Sequence, residues 1–189
     1  MKTLVAILTG LIVLLSAPLF SSVQASDIAG SSARLDKNSK VVATSTEATV
    51  MHYAKIKKAL NKVFSQYGSP FAGKEDMFIT TCKTYELDCF LLPSIAGIES
   101  GFGRVLIKDT YNPFGWGRGT IQFNSWEDGV DTVGKGLRTN YLNKGLLSIE
   151  DIGHVYCEGS TWSGKVKYFM AKFQEAYNEI QIEPLITVQ

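Results

Sequence analysis

The side chains best suited to chemistry lie within residues 87–117 of this 189-residue chain. Glu99 ends a run from Cys89 that is apolar at eight of eleven positions, Pro93 included, and Ser100-Gly101-Phe102-Gly103 follows it. A carboxyl at that point is expected to leave a core helix and enter a cleft formed with the glycine-rich stretch behind it. Apolar neighbours disfavour the charged form, so its pKa is expected to climb from about 4.3 toward about 6. Such a group stays protonated near neutral pH and can hand a proton to a glycosidic oxygen. Glycines let backbone come close to a sugar chain. Tyr111, Phe114, Trp116, Phe123, Trp126 and Trp162 offer flat faces of the kind that stack on pyranose rings.

A hydrolase that activates water needs a second carboxylate, about 6.5–9.5 Å from the acid for inversion or about 5–5.5 Å for retention. Asp109, inside the glycine-rich stretch, is the first choice by position. Glu127, Asp128 and Glu158 lie beyond it. Of these, Glu127 and Asp128 fall in a first helical turn, where the helix dipole favours an acid in any case. Taken by itself, a Glu at a helix end is more often a solvated surface group than a proton donor.

Several elements must position these groups. Tyr53, Ile56, Leu60, Val63 and Tyr67 recur with helical spacing, and Gly68 with Pro70 ends the run. A second helix is expected over 74–86, with Phe78, Cys82 and Tyr85 inward. A third starts near Asp88, a good N-cap, and carries Leu91, Leu92, Ile95, Ala96 and Ile98 to Glu99. Pro93 must sit in its first turn or kink it. Over 101–123 the period vanishes, which predicts loops and one small hairpin pairing Trp116 with residues 121–123.

Ser125, with Asp128 three residues on, caps a helix carrying Trp126, Val130, Val133, Leu137 and Tyr141, and Gly145 closes it. Ser148 and Asp151 repeat the capping pattern ahead of Ile149, Ile152 and Val155. A last helix carries Val166, Phe169, Met170, Phe173, Tyr177 and Ile180, with Pro184 beyond it. The fold class expected is mainly α: a helical domain over 46–189 with a small β or loop insertion after the Glu99 helix.

Composition sets the frame. The chain is 45% apolar and 20% charged, with a formal net charge of +1, which excludes collagen-like, coiled-coil and wholly disordered classes. The near-neutral balance argues against nucleic acid as a partner. Residues 1–25 have the layout of a secretory signal peptide: Lys2, an apolar run over 4–20, then Val23-Gln24-Ala25, with cleavage expected after Ala25. A secreted or cell-envelope protein follows, with no membrane contact beyond export. Residues 26–45, rich in Ser, Ala and Thr, read as a flexible leader.

Export takes Cys82, Cys89 and Cys157 to an oxidising compartment, where one disulfide and one leftover thiol are expected, in any of three pairings. His52 and His154 are isolated and there is no Cys-x-x-Cys, so neither a metal nor another cofactor is expected.

The segment Ile95-Ala96-Gly97-Ile98-Glu99-Ser100-Gly101-Phe102-Gly103 resembles the Glu-Ser signature of the lysozyme superfamily. Leu87-Asp88, then Leu91-Leu92 and Ile95-Ala96 before that Glu, is a pattern shared by soluble lytic transglycosylases and bacterial N-acetylglucosaminidase domains. Asn112-Pro113-Phe114-Gly115, followed by Phe123-Asn124-Ser125-Trp126, is similar to the Asn-x-Phe-Gly loop and Phe-x-Ser-Trp helix start of the glucosaminidase branch. Tyr156 stands where that branch has a Tyr facing the catalytic Glu. The branch usually continues with small residues and an Asp, where this chain has Cys157-Glu158-Gly159.

The resemblance covers roughly residues 75–175. It implies a lysozyme-like fold and a monomer acting on the glycan strands of peptidoglycan. Glu99 would protonate the leaving oxygen of a β-1,4 bond, and Tyr156 would orient the N-acetyl group or stabilise oxocarbenium-like charge. Ser100, Tyr111, Asn112, Phe114, Trp116 and Trp162 would line the groove, though Ser100 could equally cap the turn, Trp116 and Trp162 could equally pack in the core, and Asn112 is better placed to tie the loop to the Glu99 helix than to touch substrate. Three functions are open at this point: a secreted peptidoglycan glycosidase or lytic transglycosylase, a non-catalytic glycan-binding module on the same scaffold, and an inhibitor or toxin-like protein using its odd thiol.

Overall fold

The capping and periodicity signals become six α-helices in the computed structural model, which describes residues 32–156 and 161–181, with side chains from Thr46 onward. They are α1 (Ser32–Gln66), α2 (Glu75–Thr84), α3 (Leu91–Ser100), α4 (Trp126–Asn140), α5 (Ile149–Tyr156) and α6 (Trp162–Glu179), with a 3-10 turn at Leu142–Lys144. The expected signal peptide and its cleavage point, and Cys157 and Glu158, lie outside the described residues. The chain divides into Met1–Val42 and Ala43–Gln189. No helix among the described residues is long and apolar enough to cross a membrane.

The mainly helical class is as expected. The hairpin is not: among the described residues there is no strand. A side chain has taken the groups that a ladder would use. The Asn112 amide donates to the carbonyls of Trp116 and Ile121 at 2.8 and 3.0 Å, and its Oδ1 accepts the Trp116 N–H at 3.2 Å. The loop from 101 to 125 is therefore organised around one buried amide rather than a pair of strands.

Two boundaries also differ. Helix α1 is already helical at Ser32, inside the stretch expected to be a leader without regular structure. Scarcity of large apolar groups argues against burial, and residues 46–50 are indeed exposed, but it does not forbid a helix. Helix α3 starts at Leu91, three residues after Asp88. Asp88 instead opens a preceding turn, its Oδ1 accepting the Phe90 N–H at 2.8 Å. Pro93 is then the third helical residue, where no intrahelical N–H bond is lost.

Aromatic rings fill the centre. Phe64 of α1, fully buried, meets Phe71, Phe78, Phe102 and Phe173 with ring centroids 5.4–5.8 Å apart. These rings come from α1, α2, α6 and two loops, so one cluster ties most of the chain. Helix α3 packs on α6, α2 on α4, and α5 on α6.

Of the three possible pairings, a disulfide joins Cys82 in α2 to Cys89 just before α3, across seven residues and with Cα atoms 5.0 Å apart. It clips the entrance of the Glu99 helix to α2. A loop this short is worth about 2–3 kcal/mol in the chain-entropy account. The Cys82→Ala, Cys89→Ala double variant is expected to lose about that much in urea unfolding, with α-helical content retained in the native baseline.

Candidate active site

The pattern of α3 decides where Glu99 goes. Leu91, Leu92, Ile95 and Ala96 are essentially buried, and Glu99 continues their face into the last turn of α3, where it is exposed. Glu99 is exposed rather than sheltered as expected, because it stands in the last turn of α3, one turn beyond the buried Ile95 and Ala96. Gly101 ends the helix in the left-handed region at φ 58°, and the Phe102 N–H returns to the Ala96 carbonyl at 3.0 Å. The chain thus turns just beyond Glu99 and brings residues 112–117 back beside it.

Ser100 makes that return rigid. Its buried hydroxyl lies 3.0 Å from the Ala96 carbonyl and 2.9 Å from the Pro113 carbonyl, and accepts the Gly103 N–H at 2.8 Å. Expected at a sugar-binding surface, Ser100 is spent on the fold. Asn112 is spent in the same way on the loop. Phe114 is 1% exposed and belongs to the core rather than to a groove wall. Gly115 follows at φ +68°, and a Cβ there would lie 3.4 Å from the Glu99 Oε2. Backbone therefore passes directly beside the carboxylate, where a left-handed residue with no side chain is the one that fits.

The start of α6 meets Glu99, and the end of α5 packs behind it. Trp162, the first residue of α6, donates its indole N–H to Glu99 Oε1 at 3.0 Å. Tyr156, the last residue of α5, stacks on Trp162 with centroids 4.9 Å apart and planes 30° apart. The Tyr156 hydroxyl donates to the Phe114 carbonyl at 3.0 Å, which links α5 to the loop. Ser148 and Asp151 cap α5 as expected: the Asp151 N–H bonds the Ser148 hydroxyl at 3.0 Å, and that hydroxyl bonds Asp151 Oδ2 at 2.6 Å. The Ser148 hydroxyl, and then the Ser148 N–H at 3.2 Å, hold the Asp151 carboxyl below its usual pKa.

Trp162 was expected as a platform for sugar. It is 5% exposed, so its ring has no free face of useful size, and its polar edge does the work instead. Trp116 is half-buried against α4, where its ring closes to 2.2 Å of the position that a Cβ on Gly136 would occupy. Tyr111, 39% exposed, keeps an accessible face while its ring meets Trp126 edge-on at 5.2 Å. Phe123 is buried.

Among the described residues no second carboxylate is bonded into this arrangement. Asp109 is exposed, sits at φ 62°, and its carboxyl has no hydrogen bond or ion pair among the described residues. Asp128 accepts the backbone and side-chain N–H of Asn124 at 2.9 and 2.8 Å. The Glu127 carboxyl is held below its usual pKa chiefly by its own backbone N–H, then by the Ser125 hydroxyl, with Lys74 adding a smaller share. Both acids serve the start of α4. Among the described residues no three His, Cys, Asp or Glu side chains gather to hold a metal.

What the geometry offers is a solvent-reaching carboxyl fixed through one oxygen by an indole N–H, with the other oxygen against glycine backbone. The Trp162 contact is the feature that sequence reasoning missed. The chain matches no known protein-family model, and no curated protein is significantly similar to it.

Proposed function

We propose that this chain is a secreted, lysozyme-like glycosidase of peptidoglycan, with Glu99 as the acid that protonates the leaving oxygen of a β-1,4 bond between amino sugars. The observation that supports this most is the held carboxyl: Trp162 engages Oε1 at 3.0 Å while Gly115 leaves room beside Oε2. A general acid must be aimed as well as protonated, and an indole N–H supplies the aim. The half-buried Tyr156 ring, stacked on Trp162, gives one wall, and Tyr111 gives an accessible aromatic face on the loop. Tyr156, with its hydroxyl tied to the Phe114 carbonyl, is a rigid neighbour for the sugar that acquires positive charge.

A lytic transglycosylase outcome, with the sugar's own hydroxyl closing an anhydro ring, is the second reading. The unpaired, exposed Asp109 favours it, since that chemistry requires no base held near the acid. Mature protein incubated with purified peptidoglycan is expected to release soluble sugar fragments, carrying either reducing or anhydro ends. A folded protein that binds the polymer and releases none would leave the glycan-binding module as the better description.

The indole contact has its own test. Trp162→Phe keeps a ring against Tyr156 and deletes the donor to Glu99. It is expected to lower kcat about tenfold, equal to about 1.4 kcal/mol of barrier, with KM little changed. Steady-state kinetics on soluble glycan oligomers reads both constants.

A further inference from the structure

Large apolar side chains exposed singly are ordinary on a protein surface, and a cluster of them is not. Of the eight exposed among the described residues, four lie in the loop after α3: Val105 at 73%, Ile107 at 50%, Ile121 at 41% and Tyr111 at 39%. The loop's own bonds gather the aliphatic three. The Phe123 N–H donates to the Thr110 carbonyl at 2.8 Å, and the Gln122 side-chain amide to the Asp109 carbonyl at 3.3 Å, which lays residues 107–110 along 119–123. A Cβ on Gly119 would lie 3.4 Å from Ile107 Cδ1, and one on Gly117 would lie 2.6 Å from Ile121 Cγ1. Both isoleucines therefore rest on the same glycine-rich turn, and Val105 stands two residues before the first of them.

The same loop is basic. Residues 101–123 hold Arg104, Lys108 and Arg118 against Asp109 as their only acid, a net +2 in a chain whose formal total is +1. None of the three cations is in an ion pair among the described residues. Lys108 follows Ile107 in the chain, and Arg118 precedes the Gly119 on which Ile107 rests. Attraction to a charged surface acts over about 10 Å at 0.1 M salt, so the cations need only be near the tip, whichever way each side chain points. A polar polymer gives Val105 and Ile107 nothing to enter. A bilayer with anionic headgroups attracts the charges and takes up the aliphatic groups once they arrive.

We propose that this loop docks the protein on an anionic lipid surface, with Val105, Ile107 and Ile121 entering the headgroup layer and Lys108 and Arg118 engaging lipid phosphates. Composition alone led to no membrane contact beyond export, because Arg118 stands ten residues from Lys108 and only the folded turns bring both beside Ile107. The attachment is peripheral and reversible, and it requires no spanning helix.

The test mixes mature protein with vesicles of phosphatidylglycerol and phosphatidylcholine in equal parts, or of phosphatidylcholine alone, and reads the bound fraction by flotation. Binding to the anionic vesicles alone is expected, with a steep fall from about 0.1 to about 1 M salt as the screening length drops to about 3 Å. Val105→Ser with Ile107→Ser is expected to weaken it about tenfold or more. Lys108→Gln with Arg118→Asn is expected to weaken it about fivefold per cation. All four side chains are exposed, and Asn tolerates the φ of 58° at position 118, so thermal unfolding is expected to stay as in wild type. Ile107→Trp gives a second reading: emission shifted to the blue by anionic vesicles supports entry of the tip, and unchanged emission overturns it. Wild type that floats with neither vesicle, equal binding to both, or loop variants that bind like wild type overturn the proposal. Wild type held by lipid-free peptidoglycan through these side chains, and not by vesicles, overturns it in favour of the polymer. None of these readings requires catalysis, so they stand apart from the proposed reaction.

Discussion

Glu99→Gln is expected to lower the rate of sugar release by about 10²–10⁴-fold, the range that a positioned general acid contributes. The substitution keeps the shape and keeps an oxygen to accept the Trp162 N–H, so it removes the acidic proton and little else. Glu99 is exposed and takes part in no ion pair among the described residues. The change in stability is accordingly expected within about 0.5 kcal/mol, or about 2 °C in Tm for a domain of this size. Activity and thermal unfolding on one preparation check both halves. A variant that keeps most of its activity would mean that another group delivers the proton.

The largest effect on the fold is expected at Phe64. Its ring is fully buried and meets four other phenylalanines, so Phe64→Ala removes a ring that four neighbours cannot all move to replace. Loss of transfer energy plus the residual cavity predicts about 3–5 kcal/mol, or roughly 6–20 °C in Tm. Phe102, one of the four, stands just past Gly101 and packs on Phe169 of α6 at 5.0 Å. The cavity therefore lies behind the turn that follows Glu99, and activity is expected to fail on warming before global unfolding. Urea unfolding gives the stability. A loss below about 1 kcal/mol would mean that the cluster repacks.

How much of this was legible in the sequence depends on whether a position was governed by its own neighbours. The caps at Ser125 and Ser148 were, because a hydroxyl three residues before an acid satisfies N–H groups within one turn. The inward stripe of α6 was also plain, with Val166 and Phe173 fully buried as their spacing requires. The hairpin was misjudged because Trp116 and residues 121–123 read as strand partners, whereas a side chain nine residues from Ile121 claims their carbonyls. Local pattern does not register such a competitor.

The site was half legible. Glu99 stands out by its turn and its preceding apolar run, but that same run misled about its surroundings, since Ile95 and Ala96 are buried while Glu99, one turn on along the same face, is exposed. Trp162 carries no signal of its N–H partner, because 63 residues separate it from Glu99. Its aromatic face invited a stacking role, and burial gave the polar edge the active part. Ser100, Asn112 and Phe114 lie beside chemistry in the sequence yet serve the loop that carries Gly115 past the carboxyl.

Mass analysis of soluble products from purified peptidoglycan, digested in parallel by wild type and Glu99→Gln, bears most directly on the proton that Glu99 is held to deliver. Muropeptides newly ended at one kind of amino sugar, abundant with wild type and nearly absent with the variant, are the predicted result. The same fragments in equal yield from both proteins, or none from a folded wild type, would contradict it.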